Sequence, residues 1–189
     1  MSHSALNLHY IVGYPLSGKI PSMSELLKEI EVLNNPSEKF QYSGGGFLVL
    51  EHLIESLAGK TIIELTKDYL PDFSFNSNNI NRQKYAHGYH LDGSEVKSGR
   101  LIFPSFAAGA MGSSLGFLNF LHHLNIAHQD KNGSGPISHD AAVQMFLGTD
   151  KGCMDFMGTL MGLGVFVTDV GGNLLAIHQG ANDGFRCIY

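Results

Sequence analysis

The stretch that most constrains the fold of this chain is a glycine-rich loop that leads directly into a helix. Its sequence is Gln41-Tyr42-Ser43-Gly44-Gly45-Gly46-Phe47. The three glycines permit positive φ and a close approach of another chain or a ligand. Apolar residues then recur at the spacing of one helix face, at Phe47, Leu50, Leu53, Ile54 and Leu57. Polar residues oppose that face, at Glu51, His52 and Glu55, and Gly59 is a typical C-terminal cap.

Tyr42 is therefore expected at the N-terminus of a helix, beside backbone N–H groups that favour negative charge. A tyrosine that acts as a phenolate or as a proton shuttle would benefit from such a position. The same local pattern also fits a glycine-rich turn with a packed tyrosine. The local sequence leaves both interpretations open.

Composition excludes several classes of protein. The 189 residues suffice for one domain, or one domain and a small lobe, and 43% are hydrophobic while 15% are charged. The net charge is −5 and Lys and Arg form no block, so a nucleic-acid or anionic-membrane partner is not indicated. No apolar run reaches the length of a membrane span. No signal peptide is recognisable at Met1-Ser2-His3-Ser4, so the chain as written is expected to be cytoplasmic.

Histidines and cysteines do not predict a metal site. His122 and His123 are adjacent and point to different sides of a helix, and His128 follows five residues later. Neither a Cys-x-x-Cys nor a His-Glu-x-x-His pattern accompanies them, so we expect no metal and no cofactor. Cys153 and Cys187 are far apart, and either one disulfide or two reduced thiols would fit.

Capping residues predict the remaining helices. Ser22 and Glu25 form a capping-box pattern, a short helix begins after Thr61, and serines at 113 or 114 and at 138 begin two more. The helix after residue 113 is expected to turn four apolar residues inward, at Phe117, Leu118, Leu121 and Leu124.

The last quarter of the chain has the pattern of β-strands. Residues 163–167 and 174–177 are predicted strands, joined by a turn at 170–173, and Asp92-Gly93 predicts an earlier hairpin-type turn. We therefore predict an α+β protein with a single domain over 1–189, helical over about 1–150 and with sheet strands over about 155–189. The strand pattern runs into His178-Gln179-Gly180, where a strand edge could line a groove; a hairpin exit with a surface histidine also fits.

Taken together, four segments in order resemble the serine β-lactamases, penicillin-binding proteins and related esterases, nearest the class C type. Ser2-His3-Ser4-Ala5-Leu6 is similar to the LLSHTAGL segment that follows the family's catalytic helix. The Tyr42 loop resembles the Tyr-x-Asn motif. Residues 86–93 resemble the loop before the PAAAGL segment, which is here Pro104 to Met111. His178-Gln179-Gly180 resembles the Lys-Thr-Gly or His-x-Gly strand motif.

The resemblance implies acyl transfer through a serine acyl-enzyme on β-lactams, esters or D-amino-acid peptides. It implies that Tyr42 is the general base, that His178 belongs to the strand motif, and that the Ala181 N–H supplies half of the oxyanion hole. It also implies substrate-binding positions at Ser43, Gly44, Gln179, Gly180 and Asn182.

The sequence departs from the family's pattern at several points. Gly44 replaces the Asn of the Tyr-x-Asn motif. The Ser-x-x-Lys nucleophile motif occurs once, at Ser94-Glu95-Val96-Lys97 in the predicted hairpin loop, and we interpret that match as a coincidence. The family's nucleophile helix lies upstream of the LLSHTAGL segment, and further strands and a helix follow the His-x-Gly strand.

We therefore expect a chain that is incomplete at both ends relative to the family, has no nucleophile of its own and is inactive as written. A periplasmic location stays open for a longer parent protein. The alternative function is a non-catalytic ligand-binding or interaction module of the same fold. Exposed sheet edges would favour self-association.

Overall fold

The computed structural model describes residues 13–15, 17–33, 35, 38, 40–75, 85–132, 135–148 and 159–189. The family-like segment at Ser2 to Leu6 and the cysteine at position 153 lie outside these residues. Five α-helices are described: α1 Met23–Glu29, α2 Gly44–Ala58, α3 Ile62–Thr66, α4 Ser114–Gln129 and α5 His139–Phe146. Nine strands are described: β1 Tyr14–Pro15, β2 Phe73–Ser74, β3 Leu101–Phe103, β4 Met111–Gly112, β5 Leu160–Met161, β6 Phe166–Val170, β7 Asn173–Ile177, β8 Gln179–Asn182 and β9 Phe185–Ile188. The predicted α+β class is confirmed.

The helices begin where the capping residues predict. Ser22 and Thr61 each close a complete capping box, with Glu25 and Glu64 respectively. The hydroxyls of Ser113 and Ser138 accept backbone N–H bonds at the starts of α4 and α5. These bonds satisfy N–H groups that have no partner within the helix, so the starting points follow from the local sequence.

The buried face of α2 differs from the prediction. Leu48 is fully buried and Glu51 is 5% exposed, whereas Leu53 is 46% and Leu57 80% exposed. Leu48 packs against Leu26 of α1, which sets the side of α2 that faces inward. The prediction for α4 also fails at one position, because Leu118 is 61% exposed.

Short strand pairs lie among the helices. β1 pairs with β3 and β2 with β4, both antiparallel. A turn of π-helix, Ser105–Gly109, connects β3 to β4 and packs against α2. These pairs were not predicted from the sequence, since two- and three-residue strands carry too little periodicity to recognise.

The C-terminal strands form two antiparallel groups among the described residues. β5, β6 and β7 form a meander, in which the predicted hairpin of β6 and β7 is present, although β6 begins at Phe166 and Leu163 precedes it. β8 and β9 form a second hairpin, closed by Asp183 and Gly184. The core under the meander contains Met161 and Phe166, both at most 1% exposed.

Candidate active site

Tyr42 lies immediately before α2, as predicted. Its ring packs against the buried Met161–Phe166 cluster. Ser43 is the N-cap of α2 and is fully buried, and its hydroxyl accepts the N–H of Gly46 at 3.1 Å. Gly44 is the first residue of the helix and is also buried. The structure therefore gives Ser43 a helix-capping bond that its predicted substrate-binding role did not include.

His178 lies at the junction of β7 and β8, close to the same cluster. Its ring centroid is 5.3 Å from that of Phe166 and 6.1 Å from that of Tyr189. Burial lowers the pKa of His178, and a hydrogen bond with the Gln179 backbone opposes that shift in part. The imidazole is therefore neutral at pH 7, and it can exchange a hydrogen bond with a ligand but cannot supply the fixed positive charge that a lysine would.

Tyr189 is the aromatic partner of His178 at the end of the β8–β9 hairpin. Burial, and then the nearby Cys187, raise the pKa of Tyr189 to about 12. Its ring also meets Phe117 of α4 edge-on at 4.7 Å. The phenol is thus protonated at neutral pH, and its ring contacts both Phe117 of α4 and His178 between β7 and β8.

The register of β8 and β9 determines which way the backbone N–H of Ala181 points. His178 and Tyr189 exchange both backbone hydrogen bonds, with N···O distances of 3.1 and 3.0 Å. In an antiparallel ladder, hydrogen-bonded and non-hydrogen-bonded pairs alternate, so the Ala181–Arg186 pair is of the second kind. The Ala181 N–H therefore points away from β9, toward the edge of β8 that no strand in the described ranges occupies.

The other residues of β8 alternate between two faces. Gln179 and Ala181 are exposed, whereas Gly180 and Asn182 are partly buried and line a cavity of about 370 Å³. The side-chain amide of Asn182 donates a hydrogen bond to the Ala108 carbonyl in the π-helical turn, at 3.2 Å. Of the predicted substrate-binding residues, the structure therefore brings Gly180 and Asn182 to one face of β8 and places Gln179 on the other.

Glu51 connects α2 to the same π-helical turn, and it was not among the site residues predicted from the sequence. Its carboxylate accepts the backbone N–H of Phe106 at 3.2 Å. Burial raises the pKa of Glu51; the Phe106 bond opposes this, the neighbouring Glu55 adds to it, and a bond with the Ser105 side chain opposes it. The turn thus contacts α2 through Glu51 and β8 through Asn182, and so joins these two elements. The sequence could not have revealed this contact, because Glu51 occupies a position typical of an exposed helix face and Phe106 lies 55 residues further along the chain.

Ser94 lies in an exposed turn. Its hydroxyl donates to Asp92 at 2.6 Å and its backbone N–H donates to the same carboxylate oxygen at 2.9 Å. Gly93 adopts φ of 83° in this turn. The backbone N–H of His90 closes the turn by donating a hydrogen bond to the Ser94 carbonyl at 2.8 Å. Ser94 and the exposed Lys97 are therefore parts of a turn, not of a helix.

Neither a cluster of metal-ligating side chains nor a membrane-spanning helix occurs in the part of the chain that the structure describes. No three metal-ligating side chains come together there. None of the helices in those ranges is long and apolar enough to cross a bilayer. Cys187 is an exposed free thiol.

Comparisons with solved structures identify the fold. A D-amino acid amidase from Ochrobactrum anthropi SV3 superimposes with a TM-score of 0.74 at 15% identity, covering 97% of this chain and 57% of the amidase. A penicillin-binding protein from Bacillus halodurans gives 0.70 at 16% identity, covering 98% and 59%. A β-lactamase/D-alanine carboxypeptidase from Pseudomonas syringae gives 0.66 at 14% identity, covering 97% and 60%. The chain thus spans less than two thirds of the length of each of these proteins.

Comparisons at the level of sequence give the family. No curated protein matches. A family model described as Beta-lactamase matches residues 4–189, which is nearly the whole chain. This chain therefore belongs to the β-lactamase family, whose members include penicillin-binding-protein-like serine hydrolases.

Proposed function

We propose that these 189 residues form the substrate-binding half of a serine acyl-transfer site. In this proposal Tyr42 is the general base, the Ala181 N–H is one oxyanion donor, and the nucleophilic serine and its lysine are supplied from outside these residues. The substrate is an acyl compound of the kind that the family hydrolyses: a β-lactam, an ester or a D-amino-acid peptide.

The direction of the Ala181 N–H is the observation that carries the proposal. A donor that points out of a strand edge is already oriented before a ligand binds, so it can stabilise a developing oxyanion without reorganisation. Because Ala181 belongs to a non-hydrogen-bonded pair, binding a carbonyl there breaks no bond to β9.

The placement of Tyr42 and His178 supports the same site. Both lie against the Met161–Phe166 cluster, although 136 residues separate them in sequence. A neutral His178 is suited to hydrogen bonding with the substrate rather than to ion pairing. The Glu51–Phe106 bond holds α2, which follows Tyr42, against the π-helical turn. The Asn182–Ala108 bond holds β8, which follows His178, against the same turn.

The absence of a suitable Ser-x-x-Lys helix in this sequence supports an external nucleophile. The single match, at Ser94, lies in the exposed turn, and its hydroxyl is engaged by Asp92. In sites of this type the loss of the nucleophile lowers the rate by many orders of magnitude. We therefore expect no turnover from these residues alone.

A second candidate function is reversible ligand binding without catalysis, favoured by the cavity of about 370 Å³ that lies beside β8. Self-association belongs to the same proposal. β7 has a strand partner on one side among the described residues, and its Leu174 and Leu175 are 46% and 42% exposed.

The test is reversible binding of a fluorescent penicillin, followed by anisotropy, with two proline variants. Ala181→Pro removes the proposed oxyanion donor, and Ile188→Pro removes an N–H from the other non-hydrogen-bonded pair of the same hairpin. One lost hydrogen bond corresponds to about a five- to tenfold weaker affinity. We expect that loss for Ala181→Pro alone; equal affinity of the two variants would contradict the assigned donor.

A further inference from the structure

The cavity beside β8 contains a cation that forms no ion pair with any carboxylate of the described residues. Arg100 immediately precedes β3 and lines the cavity. Its Nη2 atom is buried and has no hydrogen-bond acceptor among the residues that the structure describes, while Nη1 donates to the Leu101 carbonyl at a marginal 3.4 Å. Neither of the ion pairs found between described residues involves Arg100. A buried donor without an acceptor is costly, and more so when it is charged.

The pKa of Arg100 also indicates that this guanidinium lacks a neighbouring carboxylate among the described residues. Burial lowers the pKa of Arg100, and the neighbouring group that opposes this shift is the phenol of Tyr85 rather than a carboxylate. A second guanidinium, that of Arg186, lies at the cavity, but its Nη1 is already held by the backbone carbonyls of Asn182 at 2.5 Å and Phe185 at 2.7 Å. The cavity is therefore positive, and the Nη2 atom of Arg100 is a buried donor at its wall that has no acceptor among the described residues.

The rest of the cavity wall is mainly apolar. Leu101, Met111 and Phe185 contribute side chains, and none of the described lining residues is Asp or Glu. A volume of about 370 Å³ falls within the range of small-molecule sites. A ligand that satisfies both the wall and the guanidinium has a compact apolar body and one carboxylate, because a carboxylate matches the planar donor array of arginine.

We propose that this cavity is a binding site for a small amphipathic monocarboxylate, whose carboxylate is held by Arg100 and whose apolar body packs between β3, β4 and the β8–β9 hairpin. The site requires neither a nucleophile nor acyl transfer, and it stands whether or not Ala181 is an oxyanion donor. Its ligand is recognised by the charge and by the apolar wall together, so neither inorganic anions nor neutral apolar compounds of the same size should replace it.

The chain has a reporter of its own for this site. Cys187 is an exposed thiol that lines the cavity. A ligand in the cavity would slow alkylation of Cys187 by iodoacetamide. Peptide mass spectrometry resolves that alkylation from any at Cys153, so protection localises the ligand.

The experiment compares N-acetylleucine with its neutral amide on the 189-residue chain, by NMR titration and by protection of Cys187. We expect the acid to bind at least tenfold more tightly than the amide and to protect Cys187. Arg100→Gln should abolish this preference, whereas Lys97→Gln, which removes the same charge from an exposed side chain three residues away, should retain it.

Three results would overturn the proposal: equal binding of acid and amide to the wild-type chain, absence of binding by either, or equal affinities of the acid for the two variants. Arg100→Lys serves as a second variant if Arg100→Gln does not fold, and it should keep part of the preference because it retains the charge. The acid-against-amide comparison on the wild-type chain needs no variant, so it decides the matter in every case.

Discussion

Leu48 and Leu57 lie on the same helix but in opposite environments, which makes them a matched pair. Leu48 is 0% exposed and packs against Leu26 of α1, whereas Leu57 is 80% exposed. Replacing a fully buried leucine by alanine costs about 2–5 kcal/mol, through lost transfer free energy and the cavity that remains. At Leu57 about a fifth of the side chain is buried, so the same replacement should cost about 0.5 kcal/mol or less.

The assay is urea denaturation of Leu48→Ala and Leu57→Ala, with thermal unfolding as a second measurement. For a chain of this size each kcal/mol corresponds to about 2–4 °C, so Leu48→Ala should lower the Tm by about 4–20 °C and Leu57→Ala by about 2 °C or less. A loss at Leu57 equal to that at Leu48 would refute the burial of α2 and restore the face that periodicity predicts.

Two other predictions concern the π-helical turn. Because the pKa of Glu51 is raised in the folded state, the contribution of this residue to stability is fully present below the ordinary pKa of 4.5 and is lost as pH rises through the raised value. In urea denaturation, Glu51→Gln should therefore gain stability relative to wild type between pH 4 and pH 7. The control Glu29→Gln, at an exposed position, should change stability by at most about 0.5 kcal/mol. A constant difference between Glu51→Gln and wild type across that range would contradict the buried carboxylate. Gly109→Ala would place a methyl group against the backbone carbonyl of Ile102 and should lower the free energy of unfolding by about 1–3 kcal/mol, whereas Gly135→Ala, which meets no atom within 4 Å, should not; equal stabilities would contradict the close approach.

Local chemistry accounts for what the sequence predicted correctly. Helix starts at Ser22, Thr61, Ser113 and Ser138 depend on side-chain bonds within three residues, so the capping pattern alone reveals them. Gly59 ends α2 with φ of 62°, which a glycine adopts at little cost.

Burial could not be predicted in the same way, because it depends on contacts between distant segments. The spacing of apolar residues from Phe47 to Leu57 predicts one buried face for the whole helix. The face that is actually buried depends on the contacts of α2 with α1 and with the π-helical turn. Glu51 is inward because Phe106, 55 residues away, offers a backbone N–H. No periodicity in one helix contains that information.

The candidate site was predicted by residue but not by geometry. Tyr42 and His178 were singled out by motif, and the family that this implied is confirmed; their catalytic roles stay predictions. The direction of the Ala181 N–H follows from the register of β8 and β9. The Asp183-Gly184 pair was a hairpin signal that could have revealed this hairpin. Arg100 belongs to no motif, and its proposed role rests on the cavity and on its Nη2 atom.

Covalent labelling tests most directly the proposal that these residues hold half of an acyl-transfer site. The chain is incubated with a fluorescent penicillin and, separately, with a fluorophosphonate that traps activated serines, and the intact mass is then measured. We predict reversible binding of the penicillin and no covalent adduct with either reagent, since Ser94 is engaged in its turn. A stoichiometric adduct on any serine of the chain would contradict the proposal, and peptide mapping would identify the nucleophile that it overlooked.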